Sequence, residues 1–559
     1  MKVRISFLLS SIFLCCSTAW AQTSVGLLGI DSSFDYHGPT PGQYEHDFHG
    51  YDDSGTCYSA GVPIFGGFQR WVAAGRVGAA NDSARLGIVC FDTSGTPILN
   101  FGNHGTAELS WGASDYANCL LLLHDSSILC SGASDGEPAL YHITVHGLPD
   151  LLFGDSGHVV FRPFSKTAGV FTGLDSTPIR PPNGTVQQKF YYVATGYAPP
   201  RPAILESEPG FVAVRLDSDL TIDSSFGQNG QVFIPAPITF AKGFLAPQGP
   251  ILFAGLDTAH DPEIVLCRLK ENGIPDSSFG IDGILHTQIH LHGKAALRRL
   301  IVYGNFDSTL LVEGPMLDSS AGAPVTFLQF LYDGSLDPKF GSHGLATPAL
   351  DTSFEPHGIV EANDGSILLS GSAGTALKKG AVMKLFGTGA IDSLKRSLEG
   401  TLDTNFGIKG IEYLAAGTST EENYLAAFVP IGRRAIMDTM RISRFLGIGS
   451  IRNSAGNFDY LVVRYIRVLV PSRVENTSPG TLTVEVFPNP AQTVLSLSSA
   501  DPIEEVRIAD ERGRFIQSLH PAGPVNEYSF DVSGLAAGTY SLIVIGPNGT
   551  SVQRLAIVR

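Results

Sequence analysis

One recurring phrase limits what this chain can fold into: a Gly or Asp turn, then Asp-x-x-Phe-Gly, two free residues and a second Gly. It stands as Gly273-Ile-Pro-Asp-Ser-Ser-Phe-Gly-Ile-Asp-Gly283 and as Gly334-Ser-Leu-Asp-Pro-Lys-Phe-Gly-Ser-His-Gly344. Further copies end at Phe226-Gly-Gln-Asn-Gly230, Phe406-Gly-Ile-Lys-Gly410 and Phe153-Gly-Asp-Ser-Gly157, with weaker ones at Phe101-Gly-Asn-His-Gly105 and Phe34-Asp-Tyr-His-Gly38. The phenylalanines fall at 34, 101, 153, 226, 279, 340 and 406, so six intervals span 372 residues and average 62. Each interval holds an apolar run ending in Gly, a loop, and a second apolar run leading into the next turn. Ile251-Leu-Phe-Ala-Gly255 with Ile264-Val-Leu-Cys-Arg-Leu269 is one such pair. Runs this short, bounded by Gly, Asp and Asn, are strands. Repeated small sheets bury their faces against one another, and radial closure into a β-propeller is the ordinary solution. An open solenoid is the other.

Composition agrees with an all-β chain. Gly 63 and Pro 34 in 559 residues, 43% hydrophobic and only 16% charged, describe a turn-rich, apolar sequence. That is too apolar for disorder and too poor in charged helix formers for a helical fold. A net charge of −16 argues against a nucleic-acid partner. A seventh unit should end near residue 468, where Tyr460-Leu-Val-Val-Arg-Tyr-Ile466 lies, so about seven blades are expected. Ser24 to Leu28 resembles an eighth copy of the strand before the turn, and either completes the last blade or is a spare segment.

The phrase Asp333-Gly-Ser-Leu-Asp-Pro-Lys-Phe-Gly341, with an apolar run and Arg or Gln upstream, resembles the delta-60 repeat of large secreted bacterial proteins. The resemblance covers about residues 22–470. It implies a propeller-like shape and no reaction. The repeated Asp223, Asp276, Asp337 and Asp403 are expected to cap turn N–H groups. Phe101, Phe153, Phe226, Phe279, Phe340 and Phe406 are expected to plug between sheets, and the glycines to take positive φ.

Residues 1–21 read as a secretory signal peptide. Lys2 and Arg4 precede the apolar stretch Ile5–Cys16, and Ala19-Trp20-Ala21 offers a cleavage site before Gln22. No later stretch approaches the apolar length of a membrane-spanning helix. Removal of the leader would leave Cys57, Cys90, Cys119, Cys130 and Cys267, too few for a disulfide scaffold, with Cys119 and Cys130 the only near pair.

Several constellations could carry chemistry. Gly132-Ala-Ser-Asp-Gly136 fits the nucleophile-elbow pattern around Ser134, but its context is strand–loop–strand where an elbow needs strand–turn–helix. Gly154-Asp-Ser-Gly157 aligns with the repeat turn, so Ser156 is a turn residue. His286, His290 and His292 share one strand parity with Gln288 and are weak metal candidates. A polar strand face is the plainer account. Glu45-His-Asp-Phe-His-Gly-Tyr-Asp-Asp53 concentrates ligand types in what reads as a loop over one end of the propeller. Asp217, Asp219 and Asp223 lack the central Gly and distal Glu of a calcium loop. No cofactor is implied.

The framework therefore reads as a non-enzymatic binding module for an extracellular protein or glycan, using loops on one face. The rivals are a hydrolase or lyase with an acidic site in the central channel, and an architectural surface-layer module.

Residues 471–480 have linker composition, and 481–559 change style to period-two strands with Gly and Pro turns, a small β-sandwich of about seven strands. The order of its pieces, Pro488-Asn489-Pro490, Gly513, Gly538 and Tyr540 among them, resembles the type A sorting domain of type IX secretion in Bacteroidota-like bacteria. That resemblance implies a periplasmic intermediate, engagement of the type IX machinery by residues 481–559, and release to the surface or medium. A chain truncated after Gly480 should fold and accumulate in the periplasm of a secreting host, while a reporter fused to Thr481–Arg559 should leave the cell. Fractionation and immunoblotting check both, and secretion of the truncated chain at the full-length level refutes the expectation.

Overall fold

The computed structural model describes residues 25–30, 43–48, 53–61, 70–78, 84–92, 94–161, 169–178, 190–199, 209–246, 249–257, 263–290, 301–304, 309–315, 325–361, 366–374, 378–387, 390, 397–404, 406–413, 423–431, 442–452, 457–470, 482, 484–489, 491–509, 515–521, 523–536, 538–547 and 549–558. Among them every regular element is a strand. The leader at 1–21 and the linker at 471–480 lie outside the described residues.

Six four-stranded antiparallel sheets follow one another as meanders. The first is Asp53–Gly61, Arg70–Val77, Arg85–Asp92 and Thr106–Leu109. The second is Asp115–Leu122, Ile128–Ser134, Glu137–Ile143 and His158–Val160, and the third Val170–Pro178, Phe190–Ala198, Gly210–Leu216 and Gln231–Pro235. The fourth is Ile238–Leu245, Ile251–Asp257, Glu263–Leu269 and Ile284–His290, and the fifth Ile301–Gly304, Thr309–Pro315, Val325–Leu331 and Leu345–Ala346. The sixth is Phe354–Glu361, Ile367–Ala373, Lys379–Leu385 and Ile411–Tyr413. A seventh sheet joins Asn423–Ile431, Ile442–Arg452 and Phe458–Val470 to two strands from the start of the chain. Val25–Ile30 pairs with 465–470, and Gln43–His46 pairs with 460–463. The segment that the sequence left undecided thus completes the last sheet.

The cores lie between consecutive sheets. Along Glu263–Leu269, Ile264 and Leu266 pack toward the fifth sheet, while Val265 and Cys267 pack toward the third. Period-two alternation delivers consecutive residues to opposite faces, so a strand apolar on both faces must be covered on both. The second, fourth, fifth and sixth sheets share this arrangement with their neighbours. The last core joins the seventh sheet to the first through Phe48, Tyr460, Trp71 and Phe91. The first strands of successive sheets also pack on each other, and Asn423–Ile431 packs on Asp53–Gly61.

The repeat turn fastens one sheet to the next. Phe226 is fully buried, and the N–H of Gly227 donates to the carbonyl of Asn272 in the following turn at 2.8 Å. The next residue, Gly273 (φ +80), lies so close that a Cβ there would stand 2.8 Å from the Phe226 ring. The same bond joins Gly102 to His146 and Gly341 to Glu399, each 2.7 Å. Within the turn, the residue before the closing glycine is left-handed throughout: His104, Ser156, Asn229, Asp282, His343 and Lys409 have φ between 51 and 57.

The C-terminal unit has seven described strands in two sheets, one of three strands and one of four. Leu495 and Leu497 of the first and Val506, Ile508, Leu542 and Leu555 of the second share one core. Phe279, 1% exposed, sits in the core between the fourth and fifth sheets. Phe279→Ala should lower the unfolding free energy by about 3–5 kcal/mol. Chemical denaturation checks this, and a near-neutral result would show that the ring is not a core plug.

Candidate functional site

The strongest polar arrangement comes from the repeat itself. In four units the third strand places a side chain eight residues before the turn aspartate. Arg215 Nε donates to Asp223 Oδ2 at 2.7 Å, its Nη1 reaches the Glu271 carbonyl of the next turn at 2.5 Å, and its Nη2 reaches Ser225 Oγ. Arg268 does the same with Asp276, Tyr332 and Ser278. Hydrogen bonds from Ser278, then the Arg268 guanidinium, hold the Asp276 carboxyl below its ordinary range. Gln329 donates to Asp337 at 2.9 Å, and Lys384 Nζ to Asp403 at 2.7 Å across a longer turn. In the first unit Cys90 and Ile98 replace both members. There Arg70, from the adjacent strand, supplies the crossing bond to the Val145 carbonyl at 3.0 Å. Burial, opposed by Arg70, pushes the Cys90 thiol up to about 11.

In the second unit this position is His142, and the result has the geometry of a hydrolytic triad. His142 Nδ1 lies 2.9 Å from Asp150 Oδ2, and its Nε2 lies 2.8 Å from Ser127 Oγ. Sequence inspection passed over these three residues; the eight-residue spacing from His142 to Asp150 was the available signal. The proton count argues against catalysis. Ser127 Oγ donates to Asp125 Oδ1 at 2.6 Å, so the hydroxyl proton is directed at that carboxylate and not at Nε2. Ser127 is also only 4% exposed. His142 therefore occupies the place of Arg215, Arg268 and Lys384 beside the turn aspartate.

Other sequence candidates have local explanations. Ser134 ends the strand Ile128–Ser134 and pairs with Glu137 across Asp135-Gly136, both with positive φ, a two-residue hairpin turn. Ser156 is the left-handed residue of its repeat turn. His286 Nδ1 lies 3.1 Å from Glu263 Oε2. The shared histidine face is interrupted at Gln288, whose φ is +59 within a register shift. The side chains of His290 and His292 lie outside the described residues. Among the described residues, no three His, Cys, Asp or Glu gather as metal ligands. Cys119 and Cys130 are free thiols, with Cys119 Sγ donating to the Thr172 carbonyl.

Two further features depend on tertiary placement. The first strands carry β-bulges, and the bulged side chains bond to the backbone of the next sheet's first strand. Asn118 Nδ2 donates to the Phe171 carbonyl at 2.9 Å and Thr172 Oγ1 to Ala241 at 2.8 Å. Beside them, Asp175 Oδ2 accepts the Leu245 N–H at 3.0 Å. Removal from water pushes the Asp175 carboxyl up to about 6, against the Leu245 N–H and the Lys242 ammonium. The second feature is a cleft of about 500 Å³ at the seam of the first and seventh sheets. Its walls include His46 and Asp47 on one side, and Asn103, His104 and Glu108 on the other, with Leu148 from the second turn. His46 stacks on Tyr44, and Arg85 holds Glu108 at 2.6 Å. Of the segment expected to be a loop, Glu45 and His46 end an added strand, Gln43–His46, and Asp53 begins the first sheet.

In the C-terminal unit, Asn489 locks its loop to the last strand: its Nδ2 donates to the Arg554 carbonyl at 2.7 Å and its Oδ1 accepts the Ala556 N–H. Tyr540 Oη donates to the Ala536 carbonyl. Pro488 follows a cis peptide bond, Gly538 begins a strand, and Pro490 and Gly513 lie outside the described residues.

Residues 485–558 match the family described as secretion system C-terminal sorting domain. This unit is a type IX sorting domain, which supports export to the cell surface or medium and implies contact with that secretion machinery. No curated protein matches the sequence. Among solved structures, a protein of unknown function from Dyadobacter fermentans is 10% identical, covers 77% of this chain and 100% of its own, and has a TM-score of 0.32. An ulvan lyase of a polysaccharide lyase family is 8% identical over 78% of this chain and 92% of its own, with a TM-score of 0.33.

The raised Asp175 carboxyl fixes the sign of a pH effect. A carboxyl whose folded value, about 6, exceeds its ordinary 3.8 stabilises the fold when protonated, and that stability is lost as pH rises from 3.8 through 6. Asp175→Asn, which retains an acceptor for Leu245, should raise the melting temperature by about 2–4 °C at pH 8. At pH 4 it should have little effect. Thermal melts at both values check this; a lower melting temperature at pH 8 would mean that the Lys242 pairing outweighs burial.

Proposed function

We propose that the chain is an exported seven-bladed propeller of delta-60-type repeats that binds an extracellular protein or glycan, with residues 1–21 as its signal peptide. The observation that carries the binding reading is that the repeat consumes its own chemistry. The carboxylates, cations and hydroxyls resembling catalytic sets are paired with each other and with the next turn's backbone. The cycle of seven cores, closed by Tyr460 and Trp71, supports a ring in which the N-terminal strands complete the last blade. The cleft between His46-Asp47 and Asn103-His104 is the ligand site we assign, because polar groups of two blades converge there on an apolar floor.

Asp175 favours a second reading, hydrolase or lyase chemistry in the central channel, since a carboxyl titrating near 6 suits a general acid. One experiment separates the two. The purified secreted chain is applied to glycan and protein arrays and assayed for glycan and peptide turnover. Binding that falls roughly tenfold in His104→Ala or Asp47→Asn supports the cleft. Turnover abolished by Asp175→Asn overturns the binding reading.

A further inference from the structure

The sorting domain has two sheets, and their faces toward the shared core are closed. Its three-stranded sheet of Val484–Phe487, Val494–Ile503 and Val525–Asp531 turns Leu495, Leu497 and Phe530 inward. The opposite parity forms three cross-strand rows on the outer face. Glu485, Ser498 and Glu527 make the first row, Phe487, Ser496 and Ser529 the second, and Val494 with Asp531 the third. Ser496 and Ser529 join their hydroxyls at 2.8 Å. Phe487 is 51% exposed and Val494 48%, unlike Val484, Leu495 and Leu497, the buried residues of the opposite parity. Val558, also exposed, is tied to the intervening loop by its N–H to the Ala491 carbonyl at 2.9 Å. None of the three strands contains Lys or Arg.

We propose that this outer face, with Phe487 and Val494 as anchors and Glu485 and Glu527 as its acidic border, is the surface by which the type IX machinery grips the chain. The occupant is a protein surface with an apolar socket and a basic rim. Both requirements follow from the face: two exposed apolar side chains form a desolvation centre, and the Glu485 and Glu527 carboxylates flanking Ser498 in one row select a positive border. The motif residues Asn489 and Tyr540 spend their hydrogen bonds inside the domain, so they shape the face rather than form it. This inference rests on the sorting-domain identity of residues 485–558 and adds where the contact lies.

The test uses the full chain in a host with type IX secretion, reading the ratio of surface and medium protein to periplasmic protein. Phe487→Ala and Val494→Glu should each lower that ratio roughly tenfold, as loss of an interface anchor does. The double reversal Glu485→Lys with Glu527→Lys should lower it by a similar factor. Ile516→Asp, at an exposed apolar residue on Phe515–Leu519 of the other sheet, should leave it unchanged. Each variant recovered from the periplasm is melted beside the parent, so that only variants with the parental transition are scored. Normal secretion of the charge-reversed chain, or of both anchor variants, overturns the proposal. So does an equal defect in Ile516→Asp, which would deny that this face is special. A chain truncated after Gly480 that is secreted normally would instead remove the sorting reading itself.

Discussion

Every sheet of the repeat region depends on its neighbours, because its strands are apolar on both faces. A strand such as Ile367–Ala373, buried along its whole length, sends Leu368 to one core and Leu369 to another. A four-stranded sheet of this kind has no stable state alone in water; each added sheet covers one face and exposes another. The first sheet and the last therefore carry complementary uncovered faces. The core of Trp71, Phe91, Tyr460 and Val462 covers both.

Burying these faces fixes the spacing, and the repeat turn fixes the register. A phenylalanine enters the gap, and the glycine after it bonds to the following turn. A polar side chain on the third strand, eight residues before the turn aspartate in four units and nineteen before it in the sixth, then ties the two together. It varies as Arg215, Arg268, Gln329, His142 and Lys384, whereas its partner remains a carboxylate. In the first unit the pair is replaced as a whole, by Cys90 and Ile98. This avoids the cost of a buried ion without a partner. It also explains how a Ser–His–Asp constellation arises from the repeat: His142 is a repeat position, and Ser127 belongs to a neighbouring turn.

The binding site we propose lies where the units differ. The seam cleft exists because two N-terminal strands replace what another unit would supply, and it brings His46 and Asp47 opposite His104 and Glu108. The sorting domain follows a different logic. Its motif residues hold loop to strand, and its outer sheet face presents exposed apolar and acidic side chains.

The amino-acid sequence alone determined the strands, the 62-residue period, the positions of the buried phenylalanines and the positive-φ glycines of the turns. These are local properties: two-residue alternation and positive φ are written in consecutive residues. It also determined the sorting domain, whose pieces keep their order along the chain. Tertiary structure decided the rest. Tyr460 reaches the Gly87 carbonyl across 373 positions, and Val25–Ile30 pairs with the far end of the repeat region. Arg70 serves a turn 75 residues away. The bulge at Gln288 breaks the alternation that would have aligned the histidines, and Asp175 acquires its raised carboxyl from strands of other units. Sequence periodicity cannot specify such partners, because packing between sheets selects them only when the chain has closed.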